Sequence, residues 1–482
     1  MKYTTSTACS LTTSSGVLFF LFWYCFCGML LPANLAFAAE SAVTKSEEQQ
    51  RMDTIRYGTE TEIAALIQTL KSERSSNEAS SQSKSENNLD DELIALTRNT
   101  RNQHILSGVL TFFGDRNKKG LEQRAVKAIE ERDDEAFETV MAAIDYLGKV
   151  KALDALGPLE QLLDAQEAQF MDVAFRALGR VASGGSTKNK DDTAAYLIDF
   201  YTYENPPDQN RRELIVALGE TGSQTGVSLL SEIAGNSQER GVLRMAALEG
   251  LAKIGDSSGL DGILEALSST DPNVRSTAVA ALGPFSGKSV DDAILESFRD
   301  SYYRTRIGAA SAAGTRKLTA AIPYLQYRAE RDEVPNVRDE AIKALGAIGN
   351  AEAKLVLEEL FTERKHASRI RIRAAEMLIA NDPGTYLEKV IVELDEAKKA
   401  KQTSLYNSFL GVLSRAKTGK IETQVRRFLD SGGVIEKSTA LDMISLNELR
   451  SFAPELRTLR DDPKNTSLAR KARNTLEHMG LE

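Results

Sequence analysis

Residues 271–283, DPNVRSTAVAALG, place apolar side chains with the period of an amphipathic helix. Asp271 is a favourable N-cap, and Pro272 suits the first helical position because its missing N–H costs nothing there. The apolar residues that follow stand at i, i+4, i+7 and i+8: Val274, Ala278, Ala281 and Leu282. The segment therefore predicts a short helix with one apolar face.

The same pattern recurs along most of the chain. If Leu282 is taken as the anchor of its copy, the other strong copies have these anchors: Leu147, Leu178, Leu218, Leu251, Ala313, Leu345 and Leu378. Successive anchors are 31–33 residues apart, except for one step of 40 that contains the polar insertion SGGSTKNKDD at about 183–192. Weaker copies have the anchors Leu110, Leu413, Ile444 and Leu476, and a fragment begins near Thr54. About a dozen units at this period indicate a repeat protein.

Each unit contains the pattern of two helices joined by a turn. In several units a glycine stands four residues after the anchor, as Gly255 and Gly349 do, and such a glycine ends a helix in the left-handed conformation. Asp256 and Asn350 follow these glycines and suit the N-cap of the next helix. That second helix has its own apolar residues, for example Leu355, Leu357 and Leu360. Because one helix pair cannot bury both of its faces, the pairs must stack on one another.

The repeated pattern PNVRxxAxxALGxIG resembles HEAT repeats, specifically the short bacterial kind named after phycobilisome lyase subunits. The resemblance covers about residues 52–482 and implies an all-α solenoid of about a dozen two-helix repeats. It implies no single function, because HEAT arrays serve many roles. The sequence has no pigment-related motif that would support a phycobilisome lyase. It also lacks the repeated His-Glu pairs that serve as iron ligands in the deoxyhypusine hydroxylases.

Six consecutive units carry an arginine seven residues before the anchor. We call them the ladder arginines: Arg211, Arg244, Arg275, Arg306, Arg338 and Arg371. The position lies within the apolar arc of the helix, so we predict that the side chain points between neighbouring units. Its five N–H donors could bridge a carboxylate and turn carbonyls there, while its stem packs on the apolar layer. We favour this structural role over a basic ladder that binds an extended anionic ligand.

The first 38 residues have the features of a secretory signal peptide. Lys2 is the only charge before an almost wholly apolar run at 17–31, VLFFLFWYCFCGMLL. Ala36 and Ala38 then stand at positions −3 and −1 of a cleavage site. We predict cleavage after Ala38 and a periplasmic or otherwise exported protein. The alternatives are an uncleaved anchor helix and lipidation at Cys25 or Cys27.

The predicted organisation after the signal is simple. A polar N-terminal segment occupies 39–51, and the solenoid occupies 52–482. Within the solenoid, the polar segment SERSSNEASSQSKSENN at about 72–88 is predicted to be a mobile loop, because it is too polar to pack. The insertion at about 183–192 is predicted to be flexible.

The sequence gives no support to catalysis. All three cysteines lie in the first 27 residues, so the mature chain would have no thiol nucleophile. His104, His366 and His478 belong to three different units, show no metal-binding spacing and are expected at the surface. No nucleophile elbow, phosphate-binding loop or dinucleotide fingerprint is present. The net charge of −9 disfavours nucleic acid as a partner. We therefore expect no enzymatic activity, cofactor, metal or nucleic-acid partner.

The predicted function is to hold another protein on the concave face of the solenoid, which the second helices line. Met245, Ile307 and Ile372 share the register six residues before the anchor and are expected to face outward there. Tyrosines near the polar turns either form a contact strip or close the ends of the repeat core: Tyr203, Tyr302 and Tyr303. We thus expect a scaffold or adaptor in the cell envelope. The alternatives are an enzyme or enzyme subunit acting on an envelope component, and a membrane-tethered adaptor if the N-terminal segment is retained.

Overall fold

The computed structural model describes residues 47–74, 84–204 and 206–481, and in these residues the chain forms twenty-six α-helices and no strand. The helices are α1 Glu47–Tyr57, α2 Glu60–Arg74, α3 Lys84–Asn99, α4 Gln103–Asp115, α5 Glu122–Glu130, α6 Phe137–Val150, α7 Leu156–Asp164, α8 Ala168–Ser183, α9 Thr187–Tyr203, α10 Asp208–Thr221, α11 Val227–Gly235, α12 Gly241–Ile254, α13 Leu260–Ala266, α14 Pro272–Ala281, α15 Lys288–Ser297, α16 Tyr303–Thr315, α17 Ile322–Arg331, α18 Pro335–Ile348, α19 Ala351–Thr362, α20 Ser368–Asn381, α21 Pro383–Lys399, α22 Thr403–Leu413, α23 Glu422–Ser431, α24 Val434–Asn447, α25 Ala453–Arg460 and α26 Thr466–His478. Short 3₁₀ turns lie at Arg132–Asp134, Leu153–Ala155, Gln224–Gly226, Ser257–Gly259, Thr319–Ala321, Gly419–Ile421 and Arg450–Phe452.

The helices alternate between two layers. Each even-numbered helix from α2 to α24 packs against the next even-numbered helix, and we call these the first helices. Each odd-numbered helix from α3 to α25 packs against the first helix that follows it, and we call these the second helices. The chain divides into residues 1–50, of which 47–50 are described and helical, and a compact unit from Arg51 onward that contains the repeats. This arrangement is the predicted all-α solenoid.

The anchor residues form the centre of the repeat core. All twelve anchors from Leu110 to Leu476 lie on first helices or at their C-caps, and each exposes at most 1% of its surface. The segment that introduced the pattern begins as predicted, because the Asp271 side chain accepts the N–H of Asn273 at 2.8 Å. Gly255 and Gly349 end their helices with φ of 69° and 59°, the left-handed conformation that the sequence predicted.

A second glycine of the repeat lets successive first helices approach closely. It follows the anchor directly and is represented by Gly148, Gly179 and Gly314. A Cβ atom on Gly179 would lie 2.5 Å from the carbonyl oxygen of Ala217 and 2.8 Å from its Cα. Only a hydrogen fits between α8 and α10 at this point. The sequence pattern had pointed to the glycine at the helix end and not to this one.

Helices extend into three segments that the sequence set apart from the repeated pattern. The insertion at 183–192 does not form a loop throughout, because α9 begins at Thr187. Ser186 and Asn189 form a capping box that starts this seventeen-residue helix, so the extra residues lengthen a second helix. Helices α2 and α3 cover both ends of the predicted loop at 72–88, and residues 75–83 lie outside the described residues. Similarly, α1 already begins at Glu47 within the predicted polar segment.

The structure does not test the predicted signal peptide or its cleavage. The proposed signal peptide and its cleavage site after Ala38 lie outside the described residues. Among the helices that the structure does describe, none combines the length and apolar character needed to cross a membrane.

Candidate protein-binding surface

The ladder arginines lie at the junctions between units, where each first helix begins. Arg244, Arg306 and Arg371 are buried, and the other three are half-buried. Each guanidinium donates hydrogen bonds to side chains or backbone carbonyls of this chain, so it points into the junction between two units. This placement agrees with the structural role that the sequence favoured over an anionic ligand ladder. The contribution of these residues to stability stays a prediction.

Arg275 and Arg306 make the most complete of these contacts. Arg275 donates from Nε and Nη2 to the two carboxylate oxygens of Asp300 at 2.7 and 3.0 Å. Its Nη1 donates to the carbonyl of Ser269 at 2.8 Å. Arg306 holds Asp332 in the same way, at 2.7 and 2.8 Å, and donates to the carbonyl of Asp300 at 3.1 Å. Each arginine therefore connects the turn before its own helix with the turn before the next first helix.

The two aspartates also fix the start of the following helix. Oδ1 of Asp300 accepts the N–H of Tyr302 at 2.7 Å, and Oδ1 of Asp332 accepts the N–H of Val334 at 3.0 Å. Burial works to raise the pKa of Asp332, but the hydrogen bonds from Arg306 and from the Val334 backbone hold it below its usual value. The carboxylate is therefore well stabilised in its charged form.

These aspartates were not predicted, although the sequence carries a signal for them. Asp300 and Asp332 each stand six residues before a ladder arginine, Arg306 and Arg338. The serine at the same offset from Arg275, Ser269, likewise accepts from the preceding ladder arginine, at 3.0 Å through its hydroxyl. A periodic acceptor that is offset from a periodic cation would have predicted the pairing.

The other ladder arginines use different acceptors. Arg211 stacks on the ring of Tyr201, 4.8 Å from the ring centroid, and donates to its hydroxyl at 2.9 Å. Arg338 donates to the carbonyl of Asp332 at 2.6 Å. Arg371 donates to the carbonyl of Phe361 at 2.9 Å and to the carboxylate of Glu393, a residue of the second helix α21. The arginine position is thus periodic, whereas its partner is not.

The structure revises the predicted contact register at Met245, Ile307 and Ile372. These residues lie on the first helices α12, α16 and α20, not on the second helices that were expected to line the binding face. All three are half-buried, and Met245 and Ile372 pack against the repeat core. Met245 and Ile372 therefore do not face fully outward as expected, because part of each side chain is covered by the core. Their part in partner binding is untested.

Ion pairs between neighbouring units cover much of the first-helix face. Lys149 pairs with Asp115 of the preceding unit at 2.8 Å, and Arg176 pairs with Glu213 of the following unit at 3.2 Å. Further pairs of this kind include Lys253–Glu220, Arg369–Asp339, Arg415–Glu376 and Lys471–Asp442. Charges on this face are therefore largely matched within the protein.

The second helices also expose large apolar side chains, three of them in mid-helix, whereas those exposed on first helices, such as Phe137, Val434 and Ile435, lie in a terminal turn. Tyr203 on α9, Tyr327 on α17, Leu355 on α19 and Val392 on α21 expose 78%, 54%, 67% and 58% of their surfaces. Leu355 had been assigned to an apolar stripe with Leu357, but residues two apart point to different sides of a helix. The exposure of Leu355 corrects that assignment.

The remaining tyrosines of the predicted contact strip are less accessible. Tyr302 and Tyr303 are half-buried, and their rings meet edge to face with centroids 5.3 Å apart. The Tyr302 hydroxyl lies 3.2 Å from Oδ1 of Asn273 in the preceding unit. Tyr203 thus has the accessibility of a contact residue, whereas Tyr302 and Tyr303 largely close the edge of the repeat core.

Two clefts open between second helices. One, of about 260 Å³, is lined by Phe298, Arg299, Pro323, Tyr324, Tyr327 and Arg328. The guanidinium groups of Arg328 and Arg331 lie 5.5 and 5.9 Å from the centroid of the Tyr327 ring. The other, of about 360 Å³, lies between α7 and α9 and includes Tyr203. Aromatic side chains and arginines of this kind are enriched at protein interfaces.

A larger cleft of about 1070 Å³ lies near α3 and α5, and its walls are mostly polar and carry both signs of charge.

Across the described residues, no group of three or more His, Cys, Asp or Glu side chains is arranged to hold a metal. His104 and His478 are exposed as predicted. His366 corrects its prediction, because its side chain is only 7% exposed and its Nε2 lies 3.7 Å from a carboxylate oxygen of Glu363.

Comparisons with known proteins found similar solved structures and a matching family model. Structures similar to this chain include Kap121p bound to Pho4p, with 11% identity and a TM-score of 0.43 over 89% of this chain and 53% of that one. Another is Kap95p with RanGDP, with 13% identity and a TM-score of 0.43 over 90% of this chain and 67% of that one. The chain thus spans about half the length of Kap121p, and no curated protein matches it. The family model described as spirochaete HEAT repeat protein matches residues 55–475. The chain therefore belongs to the family of spirochaete HEAT repeat proteins.

Proposed function

We propose that this protein is a non-catalytic scaffold that holds another protein on its second-helix face, the face that the sequence predicts to be concave. The observation that carries the proposal is the exposure of Tyr203, Tyr327, Leu355 and Val392 on four second helices. Covering one such side chain contributes roughly 1.5–3 kcal/mol when the burial is complete. A partner that covers several of them therefore has a sufficient driving force to bind.

The distribution of charge supports the choice of this face. On the first-helix face, pairs such as Lys149–Asp115 and Arg415–Glu376 satisfy charges within the protein, and pairs such as Lys389–Glu358 do the same on the C-terminal second helices. On the second-helix face, the arginines near Tyr327 and the exposed aromatic ring resemble the composition of interface hot spots. The scattered histidines and the absence of cysteine after residue 27 are consistent with a binding role.

We also propose that the scaffold is exported to the cell envelope. The apolar run at 17–31 followed by Ala36 and Ala38 supports this location. The test is the intact mass of protein isolated from the envelope fraction. A chain that begins at Ala39 and carries no lipid is the expected result. A species that retains Trp23, or one lipidated at Cys25 or Cys27, contradicts the proposed cleavage.

The binding proposal is tested with two matched triple variants of the mature chain. One changes the second-helix face, Tyr327→Ser/Leu355→Ser/Val392→Ser. The other changes the first-helix register, Met245→Ser/Ile307→Ser/Ile372→Ser. Each variant and the parent chain are immobilised, exposed to envelope extract and cross-linked, and the cross-linked residues are mapped by mass spectrometry. Circular dichroism melts report whether each variant remains folded.

We expect the parent and the first-helix variant to capture the same partner, with cross-links on second helices. The second-helix variant should lose most of that capture while keeping its melting temperature. If the first-helix variant alone loses the partner and remains folded, the contact register at Met245 is correct and the proposed face is wrong. If all three chains capture nothing above a blank surface, the scaffold proposal fails.

A further inference from the structure

The second helices from α7 to α15 are far more acidic than those that follow. Helices α7, α11 and α13 contain no lysine or arginine. Helix α9 has its lysines in the first turn, and α15 begins with Lys288, which pairs with Asp292. From α17 to α25, each second helix carries both signs of charge. The second-helix face therefore divides into an acidic half and a mixed half.

Five carboxylates on the acidic half are exposed and have no ion pair within the described part of the chain. We call them the acidic strip: Asp164, Asp199, Glu232, Asp261 and Glu265. They extend across four successive second helices, from α7 to α13. On the first-helix face, by contrast, acidic residues such as Glu213 and Glu376 have arginine partners. The negative charge of the strip is therefore left to be balanced by a bound cationic group or by ions from solution.

An aromatic cleft adjoins the strip at its N-terminal end. Tyr196, Phe200 and the exposed Tyr203 line it together with Asp164, Gln166, Asp199 and Glu204, so its wall contains three carboxylates and no cation. The Tyr196 hydroxyl donates to Oδ1 of Asp164 at 2.8 Å and holds that carboxylate at the rim. Burial and the nearby carboxylates of Asp164 and Asp192 raise the pKa of Glu160, which reflects the negative potential at this end.

We propose that the segment bound along this half of the face is an extended basic peptide of the partner protein. This inference rests on the proposed function and names the chemistry of the partner. A lysine or arginine would place its alkyl stem on the Tyr203 ring and its charge beside Asp164 or Asp199, combining cation–π and ionic attraction. Further cations would follow along Glu232, Asp261 and Glu265. Nucleic acids and anionic lipid surfaces carry the wrong sign of charge for this strip.

The spacing of the helices predicts the spacing of the cations in the peptide. Packed helices lie about 8–10 Å apart. A chain in the extended polyproline II conformation advances about 3.1 Å per residue and presents every third side chain on the same side. One cation at about every third residue therefore matches successive second helices, and about a dozen residues span the acidic half. A peptide with this period should bind better than one with the same composition and clustered cations.

The experiment uses the mature full-length chain and labelled synthetic peptides, with binding measured by fluorescence anisotropy. The probe is a twelve-residue peptide in which Ala-Ala-Lys occurs four times. One control peptide contains Ala-Ala-Glu four times, and another has four lysines in succession among alanines. The test variant is Asp164→Asn/Asp199→Asn/Glu232→Gln. Its matched control is Glu352→Gln/Glu388→Gln/Glu422→Gln, which removes three exposed carboxylates from second helices of the mixed half.

We expect the periodic lysine peptide to bind and the glutamate peptide not to bind. The acidic-strip variant should weaken binding at least about fivefold, as three surface ion pairs would. The control variant should stay within about twofold of the parent. Tyr203→Ser should weaken binding about threefold, and raising NaCl from 0.05 to 0.5 M should weaken it further.

Equal weakening by both triple variants, equal binding of the glutamate peptide, or no binding of the lysine peptide at low salt overturns the inference. The cross-linking experiment separates this failure from that of the proposed function. If the parent captures a partner whose binding is unaffected by the acidic-strip substitutions, the scaffold proposal stands and the basic-peptide inference fails. If no chain captures a partner although the lysine peptide binds at the strip, the scaffold proposal fails by itself.

Discussion

The first helices and the second helices are both amphipathic, but they meet different surroundings. A first helix such as α10 packs between two other first helices, α8 and α12, and it also contacts the second helix α9. A second helix such as α17 packs against α18 and leaves Tyr327 on its outer side. The first layer therefore tolerates little change in volume or charge, whereas the outer side of the second layer is available for binding.

Arg306→Ala should destabilise the protein by about 3–5 kcal/mol, because it leaves the buried Asp332 carboxylate without its main partner. Arg338→Ala is the matched control, since Arg338 makes one hydrogen bond, to a carbonyl, and should cost about 1 kcal/mol. Urea denaturation gives both free energies of unfolding. Similar losses for the two variants would mean that the carboxylate contact adds little to the junction.

Gly179→Ala should destabilise the protein by about 1–3 kcal/mol, because the new methyl group would overlap the backbone of Ala217 on the next first helix. Gly411 on α22 provides the control, since no atom lies within 4 Å of a Cβ placed there. Gly411→Ala should be neutral or stabilise by up to about 1 kcal/mol through helix propensity. A Gly179 variant that melts like the parent would show that adjacent first helices can move apart freely.

Arg275→Ala should lower the free energy of unfolding by roughly 1–3 kcal/mol, since Asp300 and a turn carbonyl then lose the hydrogen-bond donors that Arg275 provides. Ser276→Ala, at the neighbouring position, should change the free energy of unfolding by no more than about 0.5 kcal/mol. Denaturant melts of the two variants provide the comparison. If Arg275→Ala changes stability as little as Ser276→Ala, the structural role of the ladder arginines is wrong, and binding of an anionic ligand becomes the better explanation.

The Arg306–Asp332 contact should also make stability depend on acid. The pKa of Asp332 is lower in the folded protein than its usual 3.8, so its contribution is present above that value and is lost as the pH falls through the folded pKa. The free energy of unfolding of the parent should therefore fall more steeply below about pH 4 than that of Asp332→Asn. Equal slopes for the two proteins would contradict a stabilised carboxylate.

Tyr203→Ser should have the smallest effect on stability, no more than about 0.5 kcal/mol, because this side chain is largely exposed on α9. The same substitution should weaken binding of the basic peptide. A change in melting temperature comparable to that of Gly179→Ala would place Tyr203 in the repeat core and remove it from the binding surface.

The sequence predicted the repeat and its internal order because both depend on local rules. The 3.6-residue period selected the anchors, and all twelve are buried. Gly255 and Asp256 marked a helix end and the following cap because left-handed backbone and side-chain capping are decided within a few residues. The same local period predicted that the ladder arginines turn toward the apolar face, and three of them, Arg244, Arg306 and Arg371, are buried.

Only the tertiary structure decided what lies opposite each position. The helical period showed that Arg306 turns inward, but the pairing with Asp332, twenty-six residues away, depends on how two turns stack. The same limit explains why Met245 is half-buried and why Leu355 is exposed, since each depends on a neighbouring helix that the local pattern does not contain. The acidic strip is likewise a product of stacking: its members are isolated in the sequence and form one surface because successive second helices lie side by side.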